Sequence, residues 1–284
     1  MMNAIEIKNV SYTYSKGTPF EKRALNDVSV SFKKGIITGL MGHTGCGKST
    51  LVSLFNGLTK PDSGIVNILG NDLWAKPKEM TKYRFKVGVV FQYPEYQLFG
   101  ETVKEDIAFG PKNMKLEPSE IDKRVKEAAK ICSVDDDILS KSPFDLSGGQ
   151  KRRVAIAGIM AMKPEILVLD EPAAGLDPKT RESVFELILN YRDTYNATII
   201  IVSHSMEDMA KYSDEIIVMK DAGIYMQGSK EEIFSHPQEL CALGLDVPPI
   251  TYLSKKLAAM GIPIKDNCFT VELARDEILK AIKG

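Results

Sequence analysis

No stretch of this chain approaches the roughly 18 apolar residues that a membrane-spanning helix requires, so no segment is expected to cross a bilayer. Cysteine is sparse. Cys46, Cys132, Cys241 and Cys268 are scattered without a C-x-x-C pair, which suggests neither a zinc site nor a disulfide framework. An excess of either charge is also missing: the formal net charge of −1 gives no basic field, so nucleic acid is not an implied partner. The opening Met1-Met2-Asn3-Ala4-Ile5-Glu6 has no signal-peptide character, and a cytoplasmic chain is expected. What is present, 44% hydrophobic and 26% charged residues, is the composition of a soluble globular protein. At 284 residues the chain is long for one domain and suits a core with an appendage.

The most informative segment is Gly42-His43-Thr44-Gly45-Cys46-Gly47-Lys48-Ser49-Thr50, between the apolar run Ile36–Met41 and a helix expected from Ser49 until Gly57. Glycines let successive backbone N–H groups turn inward around an anion where side chains would block it. The spacing is that of a phosphate loop: Lys48 supplies a positive charge for the outer phosphates and Ser49 a hydroxyl for Mg²⁺. A thiol at Cys46, among inward amides and beside Lys48, is expected to react with thiol reagents and to be shielded by the bound nucleotide.

Ile166-Leu167-Val168-Leu169 ends in Asp170-Glu171-Pro172. Four consecutive aliphatics suit a strand buried on both faces of a parallel sheet, and carboxylates at the carboxyl end of such a strand lie where open α/β sheets bind ligands. Leu146-Ser147-Gly148-Gly149-Gln150 runs into the helix formers Lys151 to Ala157. Alone it reads as an ordinary loop; before an aliphatic strand ending in two acids it reads as a bare helix N-terminus that attracts phosphate.

In these motifs the chain resembles the ABC ATPases. The 42–50 loop is similar to their Walker A, Leu167 to Pro172 to their Walker B, and Leu146 to Gln150 to their signature. Gly175-Leu176-Asp177 is similar to the D-loop. His204, after the strand Thr198 to Val202, resembles the switch histidine, and Gln92, after Val87 to Phe91, the Q-loop glutamine. Tyr14 stands where an aromatic stacks on adenine. The resemblance covers roughly the first 230 residues, with the motifs in family order.

It implies ATP and Mg²⁺ as cofactors, with Glu171 as general base, His204 and Gln92 near the γ-phosphate, and Lys48 stabilising transition-state charge. Ser49, Asp170 and Gln92 would hold the metal. It implies an α/β ABC-type P-loop fold: a mostly parallel RecA-like core sheet, an N-terminal antiparallel β subdomain and an inserted helical signature subdomain. It also implies that Ser147, Gly148, Gly149 and Gln150 of one subunit close over ATP held by another, with Asp177 in that contact. His43 fills a variable loop slot, and His236 precedes Pro237 in a turn.

The organisation expected is an ATPase domain over 1–234, its helical insertion at about 97–157, and an α+β appendage over 235–284 serving dimerisation or regulation. In the insertion, Ile121, Val125, Ala128 and Cys132 recur at helical spacing, with Ser119 and Asp122 as a capping pair. In the tail, Phe269 to Leu273 alternates like a strand.

Two stretches, Gln92 to Phe99 and Leu243 to Ile250, resemble ATPase subunits of energy-coupling factor importers, and Gly17 to Leu25 resembles one of that system's two ATPase types. That resemblance implies a paralogous ATPase or a second copy, a transmembrane coupling subunit, and a small membrane protein capturing a vitamin or metal ion. The chain would sit peripherally on the cytoplasmic face of the membrane. A conventional ABC importer or exporter ATPase, and a soluble ABC switch protein, remain open alternatives at this point.

Overall fold

Buried strands whose neighbouring residues alternate between two apolar layers organise the molecule. The computed structural model describes residues 2–265 and 267–283; Met1, Asp266 and Gly284, which the expected 1–234 and 235–284 units include, lie outside the described residues. In chain order, β1 (Asn3–Tyr14) and β2 (Lys22–Lys33) form a hairpin, and β3 (Ile37–Gly42) passes through the glycine loop into α1 (Lys48–Phe55). Next come β4 (Ser63–Ile68), β5 (Asn71–Asp72), α2 (Met80–Arg84) and β6 (Val87–Val90). Three helices follow, α3 (Val103–Asn113), α4 (Pro118–Ile131) and α5 (Gly148–Met160). The chain then alternates: β7 (Ile166–Asp170), α6 (Pro178–Tyr195), β8 (Thr198–Val202) and α7 (Met206–Tyr212). It continues with β9 (Glu215–Lys220), β10 (Gly223–Ser229) and α8 (Lys230–Phe234). The tail holds α9 (Pro237–Ala242), α10 (Pro249–Ala259) and α11 (Val271–Lys283).

Strands β9, β3, β8, β7 and β6 lie side by side in parallel, with β10 antiparallel at the β9 edge. A second sheet, in the order β2-β1-β4-β5, is antiparallel. Period-2 alternation sends Leu167 and Leu169 of β7 into the layer of α3 to α6, while Ile166 and Val168 face α1 and the antiparallel sheet. Being apolar on both faces fixes β7 inside the sheet, so its terminal carboxylates emerge at the sheet's carboxyl edge. The same edge receives the phosphate loop from β3, Ser203-His204 from β8 and Gln92 from beyond β6.

The tail differs from its sequence expectation. Residues 269–273 form no strand. Thr270 accepts the Leu273 N–H through Oγ1 (3.2 Å) and the Ala274 N–H through its carbonyl (3.1 Å), which starts α11 instead. Leu240, Leu243, Leu245, Val247 and Phe269 are buried in the same layer as α3 to α6, and Phe269 stacks near Phe234 at 6.0 Å. The capping pair in α4 is also absent. Pro118, whose fixed φ suits a first helical turn, starts that helix with Glu117 at its N-cap and no side-chain cap. Asp122 instead pairs with Lys104 at 2.8 Å.

Candidate functional site

The phosphate loop holds its shape through glycines in the left-handed region: φ is +150° at Gly42, +83° at Gly45 and +112° at Gly47. Space also demands them. A Cβ on Gly47 would stand 2.5 Å from the Ala24 carbonyl oxygen, and one on Gly42 would stand 2.5 Å from that of Met219. Helix α1 starts at Lys48, and the Lys48 ammonium donates to the carbonyls of Gly42 (2.6 Å) and His43 (3.1 Å). Ser49 and Thr44 are exposed at the mouth. The His43 ring lies 3.0 Å from the Thr44 carbonyl oxygen and 3.8 Å from Asp221.

Cys46 departs from expectation. Its side chain points beneath the loop, only 1% exposed, where a Cβ on Gly42 would come within 2.6 Å of its sulfur. A reagent would have to open the loop to reach it.

Tyr14 ends β1 with its hydroxyl 3.1 Å from Thr50 Oγ1 and an edge-on contact to Tyr12 at 4.8 Å. Across the hairpin its register partner is Lys22. Tyr14, Lys22, Ala24, Gly45, Lys48 and Thr50 line a cleft of about 180 Å³ at the loop mouth. Sequence reasoning missed Lys22, because only the hairpin register sets it opposite Tyr14.

Asp170 closes β7, and Glu171 follows in a left-handed conformation (φ +49°), rare for a residue with a side chain. Its N–H donates to the Val202 carbonyl (2.8 Å). The Glu171 carboxylate accepts from the His204 N–H (2.8 Å) and the Ser203 hydroxyl (3.3 Å), and the His204 ring nitrogen lies 3.7 Å away. Burial pushes the pKa of both carboxyls up. Lys48 and His204 oppose that rise at Asp170; at Glu171 His204 opposes it and Asp170 adds to it. Gln92, exposed, lies two residues beyond the end of β6, the strand next to β7.

The signature residues lie apart from this cleft, and none of them lines it. Ser147 caps α5 in a reciprocal box: its N–H donates to Gln150 Oε1 (3.0 Å) and its hydroxyl accepts the Gln150 N–H (3.4 Å). A Cβ on Gly148 would meet nothing within 4 Å, and one on Gly149 would touch only Thr180 at 3.4 Å, so this helix end is bare. Thr180 in turn bonds Asp177, the N-cap of α6, which makes the signature and Asp177 neighbours on one exposed surface.

A glycine loop after a parallel strand, facing two half-buried carboxylates on the sheet's carboxyl edge, defines a P-loop nucleotide-binding protein. Comparison narrows the class. Residues 25–174 match the family model described as ABC transporter. The chain is 50% identical over 281 residues to the energy-coupling factor transporter ATP-binding protein EcfA2 of Clostridium acetobutylicum, covering 99% of this chain and 98% of that protein. It is 49% identical over 283 residues to its namesake from Clostridioides difficile, covering 99% and 98%. Among solved structures it is similar to cbiO1 of Clostridium perfringens, part of the ABC transporter complex cbiONQ, with a TM-score of 0.76 and 37% identity over 89% of this chain and 99% of that one. It is also similar to the ATP-binding cassette MJ0796, solved as a post-hydrolysis dimer with ADP and Pi, with a TM-score of 0.70 and 31% identity over 80% and 98%. The chain belongs to the ABC transporter ATPases, in the branch of energy-coupling factor ATP-binding proteins.

Proposed function

We propose that this chain binds Mg·ATP and hydrolyses it to power an energy-coupling factor importer for vitamins or transition-metal ions, from the cytoplasmic face of the membrane. The observation that carries the reading is Glu171: a half-buried carboxylate gripped by His204 and Ser203 on the edge that also carries the phosphate loop. Adenine stacks on Tyr14, the amides of Gly42 to Thr50 and the Lys48 ammonium hold the phosphates, and Lys22 adds charge at the mouth. Glu171 takes the proton of the attacking water, while His204 and Gln92 hold the γ-phosphate and that water in line.

The Asp170 carboxylate is half-buried, with no hydrogen-bond donor to it among the described residues. With the Ser49 hydroxyl and Gln92 amide it forms a hard-oxygen donor set that fits Mg²⁺. When bound, Mg²⁺ neutralises charge on the β- and γ-phosphates.

One loop and one separate, bare signature support an active unit of two ATPases, this chain with a paralogue or a second copy. Ser147 to Gln150 of each would close over the other's ATP, with Asp177 at the seam. The tail over 235–284 is proposed to serve that pairing as well as capping its own core.

For the membrane side, a groove of about 280 Å³ is lined by residues that include Val89, Pro94, Leu98, Phe99, Phe109 and Ile159. Within it Asp106 uses one carboxylate oxygen to hold the N–H groups of Phe99 and Gly100 (3.1 and 3.0 Å). Its other oxygen is buried without a partner among the described residues; the apolar lining around it suits a helix of the transmembrane coupling subunit. A separate small membrane protein would capture the substrate. Among the described residues no helix is long and apolar enough to cross a membrane, as suits a peripheral subunit.

The test is purification from native membranes with partners identified by mass, followed by phosphate release from the complex. Lys48→Ala should weaken ATP binding by about tenfold or more, the loss of one charged hydrogen bond. A chain recovered without membrane partners, or blind to ATP, would overturn the reading.

A further inference from the structure

Arg152 is the largest fully buried side chain among the described residues, 2% exposed, and two segments from elsewhere in the chain meet at its guanidinium. Nε and Nη2 donate side by side to Glu95 (2.9 and 2.6 Å). Nη1 donates to the carbonyls of Ala174 (2.7 Å) and Pro172 (3.4 Å). The Tyr93 ring lies 5.8 Å from the guanidinium carbon. Arg152 itself belongs to α5, the helix that Ser147 caps.

The gripped segments have different surroundings. Glu95 sits in the single turn Pro94–Gln97, whose Pro94 and Gln97 line the apolar groove. Pro172 and Ala174 directly follow Glu171. Each gripped segment is entered through a non-glycine residue in the left-handed region, Tyr93 at φ +54° and Glu171 at φ +49°. Such conformations persist only where surrounding contacts hold them. A buried ion pair is a weak stability device, since desolvation consumes most of the attraction, and an apolar pair would fill the space as well. What the guanidinium adds is geometry: a planar fork matching a carboxylate on one side and two carbonyls on the other.

We propose that Arg152 is a positioning residue, a rigid strut through which occupancy of the groove beside the Pro94–Gln97 turn sets the backbone that carries Glu171. This inference rests on the transport-ATPase reading above. Arg152 does not touch the reacting atoms. It fixes the spacing between the Pro94–Gln97 turn and the Pro172–Ala174 backbone, so that a shift of one displaces the other.

The experiment uses the complete membrane complex with Glu95→Gln, Arg152→Lys and the double variant, and reads substrate uptake per ATP hydrolysed, ATP affinity and melting temperature. Glu95→Gln keeps the shape and weakens the fork; Arg152→Lys keeps the charge and loses it. Either is expected to leave ATP affinity unchanged while uptake per ATP falls about fivefold or more, the low end of coupling between sites. The double variant should lose no more than the worse single. An unchanged uptake-to-hydrolysis ratio, or losses that simply add, would overturn the strut. Should Arg152→Lys fail to fold, Glu95→Gln decides alone. The unmodified complex separates the two readings, because its failure to hydrolyse ATP would count against the parent function and not against the strut.

Discussion

The backbone N–H of His204 donates to the carboxylate of Glu171 at 2.8 Å, while its own ring nitrogen stands 3.7 Å from the same oxygen. One residue therefore orients the acid and keeps an imidazole, half exposed, free to turn toward a ligand. Glu171 cannot swing away without breaking its link to the end of β8.

Removing the charge of Glu171 while keeping its shape should separate binding from chemistry. Glu171→Gln is expected to bind ATP as the native chain does and to hydrolyse it at least about a hundredfold more slowly, since positioned proton transfer contributes about 10²–10⁴ in rate. Phosphate release alongside fluorescent-nucleotide binding measures both. Near-normal turnover would remove Glu171 from the role.

The same variant should change the pH dependence of stability. Burial, helped by Asp170, raises the Glu171 pKa in the fold, so the native chain holds that proton more tightly than the unfolded one. Ionisation therefore opposes folding above the raised pKa, and the penalty fades as pH falls through it. Measured with chelator and without nucleotide, Glu171→Gln should melt above the native protein at neutral pH, with the gap closing on acidification. A gap independent of pH would contradict this.

Thiol chemistry should follow burial. Cys241 is exposed, whereas Cys46, Cys132 and Cys268 are buried, and burial pushes the Cys132 thiol up to about 12. Mass spectrometry after brief alkylation should find Cys241 modified first, with Cys46 unmodified in the native fold. Rapid labelling of Cys46 would show that the loop opens readily.

The tail should behave as part of the core. Leu240 is wholly buried in the layer of α3 to α6, so Leu240→Ala is expected to cost about 2–5 kcal/mol. Denaturant unfolding followed at helices of the ATPase domain would detect it. A variant that unfolds its tail and leaves the remaining transition untouched would instead make the tail an independent unit.

Most of the site was legible because local rules dictate it. Gly42, Gly45 and Gly47 stand where left-handed backbone is required, Ser147 and Gln150 cap each other three residues apart, and the aliphatics before Asp170 fit only a doubly buried strand. Phe269 to Leu273 misled because alternation over five residues cannot outvote a capping threonine. Cys46 misled because the facing direction of a loop side chain depends on what packs beneath it, here the apolar layer between α1 and the antiparallel sheet.

By itself the chain determined most of the core's elements and their order, and which short segments carry the glycine loop, the acids and a bare helix end. Those depend on residues within a turn or two of one another. Only the tertiary structure decided what meets what, namely Lys22 across from Tyr14, Asp106 holding the N–H groups of Phe99 and Gly100, and Arg152 gripping Glu95 57 residues away. Pairings over such separations depend on strand register and layer packing, which no local pattern specifies.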